Sequence, residues 1–203
     1  MTQVAYELPE TKVDNVVANF HLGVQFTDGD MKNLESQVFP GSENKNHRFK
    51  GIRLKGEDGG KGIVLTIYKT GSVLLLGKSI EQIYSVSERL VRRLRLFGHL
   101  VSLVRLRVCN VVLSAQLPFE IDLKLFAFKH SKYAVYNPDS FPGLCYRLAS
   151  RHGLRVSLTV YATGKIVIRS KRHDQDHINE VLSCLVPHFY DNRPARGKSA
   201  SCE

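Results

Sequence analysis

Residues 63–78, IVLTIYKTGSVLLLGK, return as residues 156–171, VSLTVYATGKIVIRSK, 93 positions downstream. Laid together without gaps, they pair Leu65, Thr66, Tyr68, Thr70 and Gly71 with Leu158, Thr159, Tyr161, Thr163 and Gly164, and three further pairs after the turn exchange only Ile, Val and Leu. Self-similarity at a fixed period is the signature of a duplicated structural unit. Working outward, Asn15-Val-Val recurs as Asn110-Val-Val at an offset of 95, and the pattern F-x-G-[IL]-x-[LY]-[KR] at Phe49–Lys55 recurs at Phe141–Arg147 at an offset of 92. The chain therefore reads as an N-terminal tail 1–9, two tandem copies over 10–100 and 101–192, and a polar C-terminal tail 193–203 that is expected to be disordered.

Each copy runs through the same succession of patterns. A β-rich NVV strand leads to a stretch such as DLKLFAFKH, then a turn (YNPDSF in the second copy), then strands rich in Val, Ile and Thr around a Thr-Gly hairpin. A helix closes the copy, with Ile80, Ile83, Tyr84, Leu90, Val91 and Leu94 at helical spacing in the first, and Ile178, Val181, Leu182, Leu185 and Phe189 in the second. Strands followed by a helix, twice, predict an α+β fold with an antiparallel sheet and helices on one face. The stretches VLLL and IVI are apolar at both parities, so the uncovered sheet face is also apolar and should serve as a broad binding surface.

With 203 residues, 43% of them hydrophobic and 24% charged, the chain has ordinary globular composition and is long enough for a sizeable core. Its 29 Lys and Arg against 19 Asp and Glu give a net charge of +10, which points to a polyanionic partner. No apolar run of about 18 residues is free of charge, and the MTQVAYELPE start lacks the basic and apolar regions of a signal peptide, so a soluble, intracellular protein is expected. Cys109, Cys145, Cys184 and Cys202 form no C-x-x-C pair, and reduced or buried thiols are expected.

The second copy carries AFKHSKYAVYNPDSFPGLCYRL followed by YATGKIVIRSK. This resembles the second repeat of the TATA-box-binding protein (TBP) family, with its Y-x-P-x-x-F-P-G-L-x-Y-R run and F-x-S-G-K-x-V hairpin. The resemblance includes Asn110-Val-Val and Pro187 and covers about residues 105–190. The first copy is more divergent but keeps Asn15-Val-Val, Phe49-x-Gly51 and Tyr68-x-Thr70-Gly71.

The resemblance implies two pseudo-symmetric halves of a saddle-shaped, curved antiparallel sheet with helices on its convex face. It implies a general transcription initiation factor, not an enzyme, acting in the nucleus if the source is eukaryotic. The concave face would bind promoter DNA in the minor groove and bend it with aromatic wedges. The wedge positions become Phe49 with Tyr68 and Phe141 with Tyr161, the two tyrosines standing where the family has Phe. Asn15 and Asn110 match asparagines that donate to minor-groove acceptors on A·T pairs. Val17, Val112, Leu74 and Val167 match apolar floor positions, while Leu76 and Arg169 stand where the family has Thr. Phosphate contacts fall to Arg48, Lys55, Arg147, Lys165 and Arg172, with Thr70 and Thr163 as hydroxyl-bearing turn residues. Ser72 stands opposite Lys165 in the repeat.

Partners are implied by the same resemblance. Arg89, Arg92, Arg93 and Arg95 in the first closing helix would face other basal factors or flanking DNA, including a transcription factor IIA-like protein and the RNA polymerase machinery. The turn at Asn137, Pro138 and Asp139 would meet a transcription factor IIB-like protein.

Two other readings stay open on the residues alone. One is a related protein-interaction scaffold with weak or relaxed DNA recognition, motivated by Leu76, Arg169 and the weaker first copy. The other is an accessory domain of a nucleic-acid-processing enzyme, which two complete copies argue against. GEDGGKG, 56–62, has too few residues between its glycines for a phosphate-binding loop and runs into a strand pattern. His173, Asp174, Asp176 and His177 have partial metal-ligand spacing, but the aspartates suit the positive N-terminus of the last helix. No cofactor or metal is expected.

Overall fold

Residues 11–21 alternate core and surface as a half-buried strand does: Val16, Ala18 and Phe20 are buried, while Asn15, Val17 and Asn19 are not. In the computed structural model, which describes residues 6–40, 42, 51–55, 62–149, 155–171 and 174–194, they form β1 (Thr11–His21). It is followed by α1 (Asp28–Asn33) and a π-helical turn at Leu34–Val38, then β2 (Gly51–Lys55), β3 (Val64–Tyr68), β4 (Ser72–Gly77) and α2 (Ile80–Leu96). The succession then repeats as β5 (Val104–Gln116), α3 (Leu123–Lys129), a short β6 (Ala134–Val135), β7 (Leu144–Ala149), β8 (Arg155–Val160), β9 (Lys165–Ser170) and α4 (Gln175–Tyr190).

The chain divides into two compact units, Val13–Val111 and the rest of the described chain, with β5 spanning the boundary. Strands of the first unit lie in the order β2-β3-β4-β1-β5, those of the second in the order β5-β9-β8-β7-β6. The β1–β4, β2–β3, β3–β4, β6–β7, β7–β8 and β8–β9 pairs are antiparallel, in keeping with the expected α+β class.

Equivalent hydrogen bonds mark the duplication. Leu22 and Leu117 amides donate to the Gly71 and Gly164 carbonyls (2.8 and 3.0 Å), and Phe26 and Ile121 amides donate to Lys69 and Ala162 (2.8 and 2.9 Å). In each unit the segment between the first strand and the short helix thereby holds the Thr-Gly turn. Gly71 and Gly164 both have φ +81°, the left-handed region that a side chain resists. Their amides close the turns onto the Tyr68 and Tyr161 carbonyls, each at 2.9 Å. Helix starts are duplicated too: Thr27 and Asp122 cap α1 and α3, and Ser79 and Asp174 cap α2 and α4.

The core of each unit lies between sheet and closing helix. Along α2 the buried stripe is Ile83, Val86, Ser87, Leu90, Val91 and Leu94. Tyr84, expected on this face, is 51% exposed, because the stripe passes through the small Ser87 instead. The Ser87 hydroxyl donates to the Tyr84 carbonyl (2.8 Å), which makes its burial inexpensive. On α4 all five expected residues are buried, joined by His177 and Val186. Asn192, the last residue of the second copy, is also buried: its carbonyl accepts from the Asp122 amide and its side-chain amide donates to the His188 carbonyl. Arg193 lies over the Phe119 and Tyr190 rings, so ordered structure runs past the expected end of the copy. The rest of the C-terminal tail, 195–203, and residues 1–5 lie outside the described residues, as do 56–61 of the glycine-rich stretch; the segment after them enters β3.

An aromatic cluster joins α3 to α4. His130 stacks on Phe126 at 4.4 Å between centroids and meets His188 edge-on at 4.8 Å. Burial, then the charges of His188 and Lys129, hold the His130 pKa below its ordinary 6.5. A depressed histidine contributes fully to stability above the unfolded value and loses that contribution as pH falls through the lower folded value. Thermal melts from pH 7.5 down to 5 should therefore show declining stability, and His130→Phe, which retains stacking on Phe126, should reduce that decline.

Candidate nucleic-acid interface

Strand register assembles a floor on the sheet face opposite the buried side chains. In the first unit, Val17 lies opposite Leu76, Leu76 opposite Val64, and Val64 opposite Lys55. The neighbouring row runs Asn19, Leu74, Thr66, Arg53. The apolar members are half-exposed, whereas Val16, Ala18, Leu65, Ile67, Val73 and Leu75 on the other parity are buried. Lys55 and Arg53 are exposed at the row ends. Arg53 was not among the anticipated phosphate contacts, although its i, i+2 spacing from Lys55 was a readable signal. Asn15 is half-exposed on the same parity of β1 as Val17.

The second unit builds the corresponding rows from Val167, Thr159 and Cys145, and from Arg169, Ser157 and Arg147. Asn110 and Val112 are half-exposed on alternate positions of β5. Arg169 bends back diagonally across the sheet, and its Nη1 donates to the Thr159 hydroxyl at 2.8 Å. Thr159 is only 2% exposed beneath it. The position that carries Leu76 in one unit thus carries a guanidinium in the other, laid along the floor with donors still available. Nothing in the sequence around Thr159 signals this clasp, because it depends on β8–β9 register.

At the margin of the second unit, Phe141 and Tyr161 meet at 6.2 Å and 61°. Phe141 is 41% exposed, and Tyr161 is half-buried. Gly143 makes room for both: a Cβ there would come within 2.7 Å of Phe141 Cε1 and 3.2 Å of Tyr161 Cε1. The turn before Phe141 is fixed by Asn137, whose carbonyl accepts from Ser140 and Phe141 and whose Oδ1 accepts from Asp139. Asn137, Pro138 and Asp139 are themselves exposed. In the first unit Tyr68 lies opposite Gly51, where a Cβ would come within 3.3 Å of Tyr68 Cδ1. Its expected companion Phe49 lies outside the described residues, as do Arg48 and Arg172.

The two hairpin turns present Thr70 and Thr163, both exposed. His21 Nε2 donates to the Thr70 carbonyl at 2.8 Å while Nδ1 accepts from the Gly23 amide at 2.9 Å, which fixes the tautomer. Gln116, at the matching place, donates to the Thr163 carbonyl at 2.8 Å. These two pinning residues were not anticipated. Ser72 and Thr70 share a hydroxyl contact at 3.1 Å, whereas Lys165 is exposed at the corresponding place in the second hairpin. Arg147 is likewise exposed.

The α2 arginines divide into two kinds. Arg93 donates to the Val38 carbonyl at 2.6 Å and lies over the Phe39 ring, and Arg95 donates to the Val101 carbonyl at 2.8 Å. Both hold their own chain. Arg89 and Arg92 are exposed. Asp174 caps α4 by accepting from the His177 amide at 3.1 Å, and among the described residues no three His, Cys, Asp or Glu gather where they could hold a metal. Cys109, Cys145 and Cys184 are free thiols, with Cys109 and Cys184 exposed rather than buried. No described helix is long and apolar enough to cross a membrane.

Comparison with known proteins accords with this geometry. The profile of the family described as "Transcription factor TFIID (or TATA-binding protein, TBP)" matches residues 10–97 and 105–190. TATA-box-binding protein 2 of Entamoeba histolytica is 28% identical over 183 residues, 90% of this chain and 82% of that one. A TATA-box-binding protein of Pyrobaculum islandicum is 31% identical over 170 residues, 83% of this chain and 80% of its own. The solved structure of Methanococcus jannaschii TBP shares the fold with a TM-score of 0.71 at 22% identity, covering 90% of this chain and 99% of that one.

Proposed function

The chain belongs to the TATA-box-binding protein family of DNA-binding transcription factors, and from that premise we propose that it is a general initiation factor that grips promoter DNA through the minor groove, bends it and recruits basal factors. The observation that carries this reading is the exposed Phe141 ring, set against the half-buried Tyr161, beside a half-exposed apolar floor. An apolar face bordered by cations suits the minor groove, whose walls are sugars and whose rims are phosphates. The floor contributes Val17, Leu74, Leu76, Val112 and Val167. Asn15 and Asn110 supply donors to adenine N3 and thymine O2. Lys55, Arg147, Lys165, Thr70 and Thr163 engage phosphates, with Arg48 and Arg172 assigned the same role and Phe49–Tyr68 forming the second wedge. The two copies are placed at 10–100 and 101–192. Partners are a transcription factor IIB-like protein at Asn137–Asp139, a IIA-like protein and other basal factors at Arg89 and Arg92, and the polymerase machinery, all in the nucleus of a eukaryotic source.

Inosine·cytosine substitution tests the groove directly. It keeps an A·T-like minor groove while changing the major groove, because inosine lacks the guanine N2 amino group. Equal affinity for A·T and I·C duplexes, with much weaker binding to G·C, is the expected result. Equal binding to all three would defeat minor-groove readout and favour the scaffold reading, for which Leu76 and the clasped Arg169 are the motivating residues.

Arg169 gives a further expected outcome. If its remaining N–H groups meet the DNA, Arg169→Thr removes one cation and lowers the slope of log affinity against log salt by about one. Anisotropy titrations between low and moderate salt measure it; an unchanged slope would place Arg169 out of reach of the duplex.

A further inference from the structure

Helix α3 carries apolar side chains where its counterpart carries polar ones. Leu123 and Phe126 are buried, but Leu125 is 40% and Phe128 82% exposed. Three residues apart, these two share one flank of the helix. Tyr133, 42% exposed, follows in the turn that closes on the His130 carbonyl. At the offset of 95 that relates the caps Thr27 and Asp122, Asp30 stands for Leu125 and Asn33 for Phe128. The fold forms a helix in both places, so packing does not demand the apolar pair.

Charge selects the occupant. Lys124 and Lys129 flank Leu125 and Phe128, and the Lys132 ammonium lies 5.2 Å from the Tyr133 ring centroid. No Asp or Glu occurs between Leu123 and Pro138, and none of the three lysines has a carboxylate partner among the described residues. A phosphate backbone would use the lysines but leave Phe128 in water. We propose that this flank of α3 docks an acidic amphipathic segment of a partner protein, whose apolar side chains cover Leu125, Phe128 and Tyr133 and whose carboxylates meet Lys124, Lys129 and Lys132. The apolar contacts supply affinity and the lysines select sign. The site is independent of the DNA reading.

The probe is a fluorescein-labelled peptide with Leu and Phe at helical i, i+3, i+4 spacing and Glu elsewhere, titrated by anisotropy against the full chain. Leu125→Asp with Phe128→Asn installs the first copy's residues and should weaken binding at least roughly tenfold while leaving the melting temperature unchanged. Lys124→Ala, Lys129→Ala and Lys132→Ala together should weaken it similarly at low salt and flatten its salt dependence. A Gln-for-Glu peptide should not bind. Undiminished binding by the Leu125/Phe128 variant, or equal binding of the Gln peptide, overturns the proposal. So does absence of peptide binding alongside either self-association lost in the variant, with a second copy as occupant, or co-sedimentation with anionic lipid vesicles.

Discussion

Replacing both Phe141 and Tyr161 by alanine is expected to lower affinity for an A·T-rich duplex by roughly a hundredfold or more and to abolish the bend, with little loss of stability. An intercalating side chain exchanges base stacking for aromatic contact, so its removal leaves the cost of unstacking, on the order of a few kcal/mol per step, without compensation. Phe141 is 41% exposed in the free protein and therefore contributes little to the core. Its ring is positioned by Tyr161 and by the space above Gly143. Tyr161→Phe should retain nearly full binding, since the hydroxyl adds no stacking area. Electrophoretic mobility and anisotropy separate the two effects: a double variant that binds and bends like the parent would remove the wedge from the mechanism.

Gly164→Ala should destabilise the second unit by about 2–5 kcal/mol, combining left-handed backbone strain with overpacking. At φ +81° a Cβ would collide with the Phe119 carbonyl oxygen and stand 3.0 Å from that of Leu117. These are backbone atoms that cannot swing aside, and Leu117 is the residue whose amide bonds Gly164. Gly71→Ala should behave likewise against the Val24 carbonyl. Gly98 supplies the internal control: it has φ +84° but nothing within 4 Å of a Cβ, so Gly98→Ala should cost only the strain, about 1–2 kcal/mol. Equal costs for Gly98→Ala and Gly164→Ala in denaturant titrations would show that the turn has no steric requirement beyond its dihedral.

The duplicated hairpin was legible because its determinants are local. Strand alternation is written at period two, and the turn needs a glycine at one place, so Tyr-x-Thr-Gly carries the geometry by itself. The buried face of α4 was legible for the same reason. Tyr84 was misread because helical spacing alone admits a neighbouring row, and only packing chose the stripe through Ser87. Arg93 and Arg95 read as a surface charge run, yet each spends an N–H on a carbonyl of its own unit, at Val38 and Val101. The Arg169–Thr159 clasp depends on which strands lie side by side, and the burial of Asn192 on a bond to Asp122 far away in the chain. The wedge and floor assignments came from repeat symmetry and family resemblance; the register puts Val17, Leu74, Leu76, Val167 and Arg169 on rows of the face opposite the buried side chains.

Bending is the measurement closest to the central claim. A duplex labelled at its two ends with donor and acceptor dyes, carrying an A·T-rich core, is titrated with the intact chain while binding is followed separately by anisotropy. The expected result is increased energy transfer rising in step with binding, greater on the A·T-rich core than on a G·C core, and diminished with affinity as salt is raised. Binding with no change in energy transfer, indifferent to base composition, would contradict the claim that the sheet floor engages and bends the minor groove.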